Sequence, residues 1–236
     1  MRTSIAVFLL TLSAGAQALT ASEKRADSAV AVVGEMMAIP ESSIPEKLMA
    51  EAYAIAVVPE VGEAGFVFGG RFGKGLISIR GKDGAWSNPN FIKLTGGSVG
   101  FQAGIQSSDV ILVFTKPEGV NSIIKGKFTL GADAAIAAGP VGRSAQASTD
   151  EKFEAEIFSY ARSKGLFAGV SLDGTAITID RKANTEMYGD MQSPASIFDG
   201  RTTTDNASIV AFRNALEEAS SYRPLNAPNP NKPVTQ

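Results

Sequence analysis

The densest cluster of chemically useful side chains in this sequence is cationic. Arg71, Lys74, Arg80 and Lys82 fall within one strand-turn-strand stretch that holds a single acid, Asp83. Lys and Arg gathered on one hairpin suit an anionic surface, where each contributes about 1 kcal/mol within a Debye length. The blander reading of the same residues is a solvated hairpin. Arg162 and Lys164 form a second basic pair further along the chain, whose distance from the first only the fold decides.

Three short patterns invite catalytic readings, and each lacks a partner its chemistry needs. Gly96-Gly97-Ser98-Val99-Gly100 matches the G-x-S-x-G turn that exposes a nucleophilic serine to a histidine base, but the chain contains no histidine. Ser122-Ile123-Ile124-Lys125 matches S-x-x-K, yet no Ser-Asp-Asn or Lys-Thr-Gly companion is present. An exposed helix face is the preferred reading of these four residues. Gly69 to Gly75 resembles a phosphate loop in its glycines and in Lys74. Phe68 stands where the first glycine belongs, however, and Gly75 where the metal-binding Ser or Thr belongs. What survives is a cationic glycine segment able to touch an anionic headgroup. The carboxylates are scattered with no paired spacing, and no calcium loop is visible. The sequence therefore predicts neither a cofactor, nor a metal, nor catalysis.

Composition narrows the classes further. The 236 residues contain no cysteine and no histidine and carry a formal net charge of −2. These values exclude thiol chemistry and the commonest general base and metal ligand, and a slightly acidic chain shows no nucleic-acid footprint. The N-terminus reads as an export signal: Arg2, an apolar run from Ile5 to Leu12, then the small-residue cleavage pattern Ala16-Gln17-Ala18. That run is too short to cross a bilayer, which takes about 20 apolar residues. We therefore expect a signal peptide over residues 1–18, maturation at Leu19, and a periplasmic or secreted product. One domain over 19–223 and a disordered Pro- and Asn-rich tail over 224–236 complete the expected organisation.

The elements that must position these residues follow from periodicity. Ala26, Ala29, Val30, Val33, Met36 and Met37 recur at helical spacing between Ala21 and Met37, and Pro40 follows. A short helix from about Pro45 carries Leu48, Met49 and Ala52, and Tyr53 to Val58 reads as a buried strand stopped by Pro59. Further strands are expected at Gly65 to Phe72, Gly75 to Arg80, Ser98 to Ile105 and Asp109 to Thr115. From Asp109 to Phe114 the last has no polar residue after its first and so should be covered on both faces. Pro117 to Lys125 should be helical. A strand pair through Leu130 to Ala138 and Val141 to Ala147 comes next, then a strand from Phe153 to Ala161. Asp83-Gly84 and Asp173-Gly174 are hairpin signals. For the second, register sets Leu172 opposite Thr175, Val170 opposite Ile177 and Ala168 opposite Ile179, with one face apolar. Asn206 to Ser220 should form a surface helix with Ile209, Phe212, Ala215 and Leu216 on one side. The expected fold class is α+β: N-terminal helices on a curved antiparallel sheet or incomplete β-barrel of about eight to ten strands, with a C-terminal surface helix.

Taken in order, several landmarks resemble the SYLF domain family, which includes a fungal actin-binding member. They are Gly73-Lys74-Gly75 before a strand ending in Arg80, Gly84-Ala85-Trp86-Ser87-Asn88-Pro89, and Gly100-Phe101-Gln102-Ala103-Gly104. Gly131-Ala132-Asp133, Ala138 to Arg143, Tyr160 to Val170 and Asn184 to Gly189 follow. The match spans nearly the whole chain beyond the signal. The resemblance implies a lipid-associated, non-catalytic binding module of bacterial exported type that contacts anionic membrane lipid, and the charge distribution along the chain nominates Arg71, Lys74, Arg80, Lys82, Arg162 and Lys164 for that contact. A structural or protein-interaction factor of the envelope is the alternative. In eukaryotic members a basic N-terminal helix is linked to lipid contact. Here that helix offers Lys24 and Arg25, offset by Glu23 and Asp27, so phosphoinositide selectivity is not implied, and an exported chain is not expected to meet actin. Most of the landmarks also have a packing explanation, with Trp86 as a core plug.

Overall fold

The computed structural model describes residues 18–38, 44–65, 68–99, 104–142 and 155–221. The expected signal peptide, apart from Ala18, and the expected tail lie outside them. Helix α1 (Ala21–Met37) starts where the sequence places it. Thr20 accepts a hydrogen bond from the Glu23 N–H and the Glu23 carboxylate accepts one from the Thr20 N–H, a capping box. Its buried stripe is Ala26, Ala29, Val32, Val33 and Met36, so Val32 takes the place expected for Val30. Helix α2 (Glu46–Ala50) buries Leu48 and Met49.

Strand β1 (Ala54–Gly65) does not stop at Pro59. It passes through a bulge, with register shifts between Val58 and Val61 against one neighbour and between Val57 and Gly62 against the other. A bulge is where a sheet tolerates a residue without an N–H. Strand β2 (Phe68–Ile79) is likewise one strand where two were expected. Its glycines answer the bulge: a Cβ on Gly75 would lie 2.2 Å from the Val57 carbonyl oxygen and 2.8 Å from the Val58 Cα.

The remaining elements are β3 (Asn90–Val99), β4 (Gly104–Phe114), α3 (Pro117–Lys125), β5 (Lys127–Thr129), β6 (Ile136–Ala138), β7 (Ile157–Ser163), β8 (Leu166–Gly169) and β9 (Ala176–Ile179). Helices α4 (Arg181–Tyr188), α5 (Pro194–Phe198) and α6 (Ala207–Ser220) close the chain. The segment expected as a strand from Ser98 to Ile105 falls across the end of β3 and the start of β4. Of the expected pair, β6 hydrogen-bonds in parallel to β7, while residues 143–147, like 153 and 154, lie outside the described residues.

The nine strands form one curled mixed sheet, a half-barrel, in the order β5-β9-β3-β2-β1-β4-β7-β6, with β8 sharing the outer side of β7. Every pairing except β6–β7 is antiparallel. Alternation splits the core in two. Ile55, Val57, Leu76, Phe91, Ile111, Val113 and Tyr160 pack under α1, α2, α4 and α6. Ala56, Val58, Ile77, Ile92, Val110, Leu112 and Phe114 face the other way, with Val120 and Ile123 of α3. Strand β4 is covered on both faces, as its run of apolar residues predicts.

Asp173-Gly174 does make a turn, with the Thr175 N–H donating to the Leu172 carbonyl at 3.1 Å and Gly174 at φ 75°. The flanking strands nevertheless do not pair. Strand β8 joins β7, and Ile177 of β9 sits between Leu94 and Phe128. Turn chemistry specifies only the reversal, and alternating apolar residues fit other neighbours as well as each other. Asp83-Gly84 also turns, with Gly84 at φ 88° inside the β2–β3 connection. Trp86 just beyond it is 5% exposed and donates from Nε1 to the Ser220 Oγ of α6 at 3.0 Å. Helix α6 begins at an Asn206 cap and buries Ile209, Phe212 and Leu216, confirming its expected apolar side.

Candidate functional site: a cationic cleft beside helix α1

The β1 bulge and the first turns of α1 frame an open cleft of about 490 Å³. One wall is the helix, presenting Lys24, Arg25 and Ser28. The floor is β2 and β3, with Phe72, Lys74, Lys93 and Thr95, and the rim opposite is Pro59 and Glu60 of the bulge. Lys74 and Lys93 are direct cross-strand partners, an arrangement of like charges that repels unless something neutralises it.

Asp180 supplies that neutralisation. Its side chain is 4% exposed, with Oδ1 3.3 Å from Lys93 Nζ and Oδ2 3.2 Å from Arg25 Nη1. Burial pushes its carboxyl up. The hydrogen bond and charge of Lys93, with the Ala183 N–H and Arg25, outweigh this and hold it below the usual carboxylate range. Arg25 also lies over the Phe91 ring, 5.5 Å from its centroid. Arg25 and Lys93 are thus committed to Asp180, whereas the side chains of Lys24 and Lys74 are exposed and form no hydrogen bond or ion pair among the described residues. Between them Phe72 is 61% exposed, its ring lying across Gly62.

Of the six basic residues singled out in the sequence, only Lys74 opens into this cleft. Arg71 sits on the opposite face of the period-two strand, with Nε 2.5 Å from Glu63 Oε1. Arg80 lies six residues from Lys74, about 20 Å along an extended strand. Its guanidinium donates to the Ala50 and Met49 carbonyls at the end of α2 and stacks 4.8 Å from the Trp86 ring centroid. Burial pushes its pKa down, so Arg80 braces the fold. Lys82 is exposed in the turn beyond. Arg162 pairs with Glu35 of α1 and reaches Asp109 at 3.8 Å, and Lys164 is exposed at the β7–β8 tip with φ 49°. The hairpin cluster is therefore dispersed over two faces and both ends of β2.

Sequence reasoning missed Lys93, because no strand was expected over Phe91–Gly97, and discounted Lys24 on account of Glu23 and Asp27. Of these, Glu23 is turned away: its carboxylate is held by Thr20 and accepts from Asn206 Nδ2 at 2.8 Å. The Thr20 backbone hydrogen bond, with those of Asn206 and the Thr20 side chain, holds it below the usual carboxylate range. The capping-box spacing Thr20-x-x-Glu23 was the available signal. No group of three or more His, Cys, Asp or Glu able to hold a metal occurs among the described residues, and none of their helices is long and apolar enough to cross a membrane.

Comparison with known proteins places this sequence among relatives. Residues 95–219 match the family model Ysc84, described as Las17-binding protein actin regulator. The chain is 39% identical over 186 residues to LAS seventeen-binding protein 3 of Saccharomyces cerevisiae, covering 78% of this chain and 40% of that protein. It is 39% identical over 182 residues to Protein YSC84 of the same yeast, covering 76% and 39%. With SH3 domain-containing YSC84-like protein 1 of Rattus norvegicus it shares 30% over 222 residues, covering 84% and 65%. The chain spans about two fifths of the length of the yeast relatives. On these matches the chain belongs to the Ysc84 (SYLF) domain family.

Proposed function

We propose that this chain is an exported, non-catalytic binding module of the cell envelope that contacts anionic membrane lipid through the cleft beside α1. The observation that carries this reading is the pair of uncommitted lysines, Lys24 and Lys74, flanking an exposed Phe72 in an open cavity. Cations meet phosphate while an aromatic side chain offers apolar contact at the membrane interface. Export rests on the Arg2, Ile5 to Leu12 and Ala16-Gln17-Ala18 pattern. The absence of any histidine or cysteine from the sequence supports a binding role over the commonest catalytic chemistries. A second reading, a factor that binds another protein, is favoured by the family description, which names Las17 binding and actin regulation.

Vesicle co-sedimentation separates the two. The chain from Leu19 onward is expected to bind anionic vesicles better than neutral ones and to lose binding as salt rises. At about 1 kcal/mol per lysine, the Lys24→Gln/Lys74→Gln double variant should bind roughly thirtyfold more weakly, whereas Lys82→Gln should bind like the parent. Equal binding by the double variant and the parent removes the cleft from the reading. A parent that binds no vesicle leaves the protein-contact reading in its place.

A further inference from the structure

The cleft is not uniformly cationic, and its one uncommitted acid is held there by an unusual backbone. Glu60 has φ 49°, a left-handed conformation that disfavours side chains other than glycine, asparagine and aspartate. The bulge enforces it: Pro59 precedes, the Glu60 N–H donates to Asp109 Oδ1 at 3.0 Å, and the ladder resumes at Val61. Bulges re-aim side chains, and this one sets Glu60 on the rim of the cavity that Lys24 and Lys74 line. The Glu60 carboxylate is exposed and forms no ion pair or hydrogen bond among the described residues. Neither lysine closes onto it, so the cavity keeps two separated charge signs. Arg25 and Lys93 share the single carboxylate of Asp180, so this trio keeps a net charge of +1 on the phosphate side of the cleft.

A ligand that satisfies both signs carries an anion and a cation a short tether apart. We infer that the cleft takes a phosphate diester bearing a primary ammonium, as in a phosphoethanolamine or phosphoserine group, with its phosphate toward Lys24 and Lys74 and its ammonium toward Glu60. The inference rests on the cleft being the phosphate-contacting site proposed above, and adds its selectivity. An ammonium presents several donors to a carboxylate, and a cavity of about 490 Å³ lies within the range of small-ligand sites. The ester can be part of a lipid or free in solution, since the recognised chemistry is the same.

The test uses two soluble glycerophosphate diesters, glycerophosphoethanolamine, whose second ester group ends in a primary ammonium, and glycerophosphoglycerol, whose second ester group is a neutral diol, titrated calorimetrically into the chain from Leu19 onward. The parent is expected to bind the amine-bearing probe at least fivefold more tightly. Glu60→Gln should abolish that preference while binding glycerophosphoglycerol as well as or better than the parent, and Lys24→Gln/Lys74→Gln should lose both probes. Circular dichroism melts verify that each variant is folded. Equal affinity of the parent for the two probes, or a preference that survives Glu60→Gln, overturns the inference and leaves the phosphate-contacting cleft standing. Failure of the parent to bind either probe overturns the inference, and failure to bind anionic vesicles as well overturns the phosphate-contacting cleft. Vesicles of constant anionic content, made up with phosphatidylethanolamine or with phosphatidylcholine, distinguish the source. Stronger binding to the former assigns the lipid headgroup, and equal binding alongside soluble-probe selectivity assigns the free ester.

Discussion

Replacing Asp180 tests the idea that one nearly buried carboxylate holds the cleft and the fold together. The side chain bridges three elements: Arg25 of α1, Lys93 of β3 and the first turn of α4, where it accepts from the Ala183 N–H at 3.4 Å. Asp180→Ala leaves Arg25, 13% exposed, without its carboxylate. Breaking a buried pair from one side costs about 3 to 5 kcal/mol. The Phe91 ring still stacks on Arg25 and some water reaches it, so a value below that range, about 2 to 3 kcal/mol, applies. Lys93, 44% exposed, regains water and adds at most about 0.5 kcal/mol. The lost helix cap, long in its hydrogen bond, adds about 0.5 to 1 kcal/mol. The expected loss is about 3 to 4 kcal/mol, and Asp180→Asn, which keeps a capping acceptor, should lose about 1 kcal/mol less. Because the folded carboxyl titrates below its unfolded value of about 3.9, its contribution is complete above that pH and disappears as pH falls through the folded pKa. The gap between parent and Asp180→Asn should therefore shrink between pH 7 and pH 3. Urea unfolding followed by Trp86, the single tryptophan, measures both. A loss under about 1 kcal/mol for Asp180→Ala, or a gap that does not change with pH, refutes the bridging role.

Trp86→Ala should destabilise the fold by about 3 to 5 kcal/mol, because the indole is 5% exposed and bonded to Ser220 beneath Arg80. Circular dichroism in denaturant reads the loss, and a cost below about 1 kcal/mol would place the indole outside the core. Protein recovered from its natural host should begin at Leu19 and sit in the periplasm or medium. An intact mass that retains Met1 to Ala18 in the soluble fraction contradicts the export reading.

Much of the scaffold is legible in the sequence because local periodicity writes it. Helices α1, α3 and α6 appear where their apolar spacing and flanking residues place them, and β4 is covered on both faces as its uninterrupted apolar run requires. The landmark order was enough to suggest the family. The strand boundaries around Pro59 and Gly73 to Gly75 were not legible, since proline and glycine ordinarily punctuate strands. Here the proline sits in a bulge, and Gly75 makes room for the bulged backbone of the neighbouring strand. Gly139 has a comparable reason: a Cβ there would lie 2.0 Å from the Tyr160 ring.

The site divides the same way. By itself the sequence determined which charges exist, that histidine and cysteine chemistry is absent, and which segments alternate as strands or recur as helices. Tertiary structure decided which charges meet and which are consumed. Arg25 and Asp180 are 155 residues apart, and Lys74 finds Lys93 only through the β2–β3 register. Arg71, three residues from Lys74 in the chain, is sent to the opposite face. Strand geometry puts adjacent side chains on opposite faces and residues a few positions apart many ångströms away, so charge density along a chain does not measure charge density on a surface. Only the packing of α1 across the sheet and the bulge at Pro59 and Glu60 assemble the cleft, and both depend on long-range pairing that no local window of sequence contains.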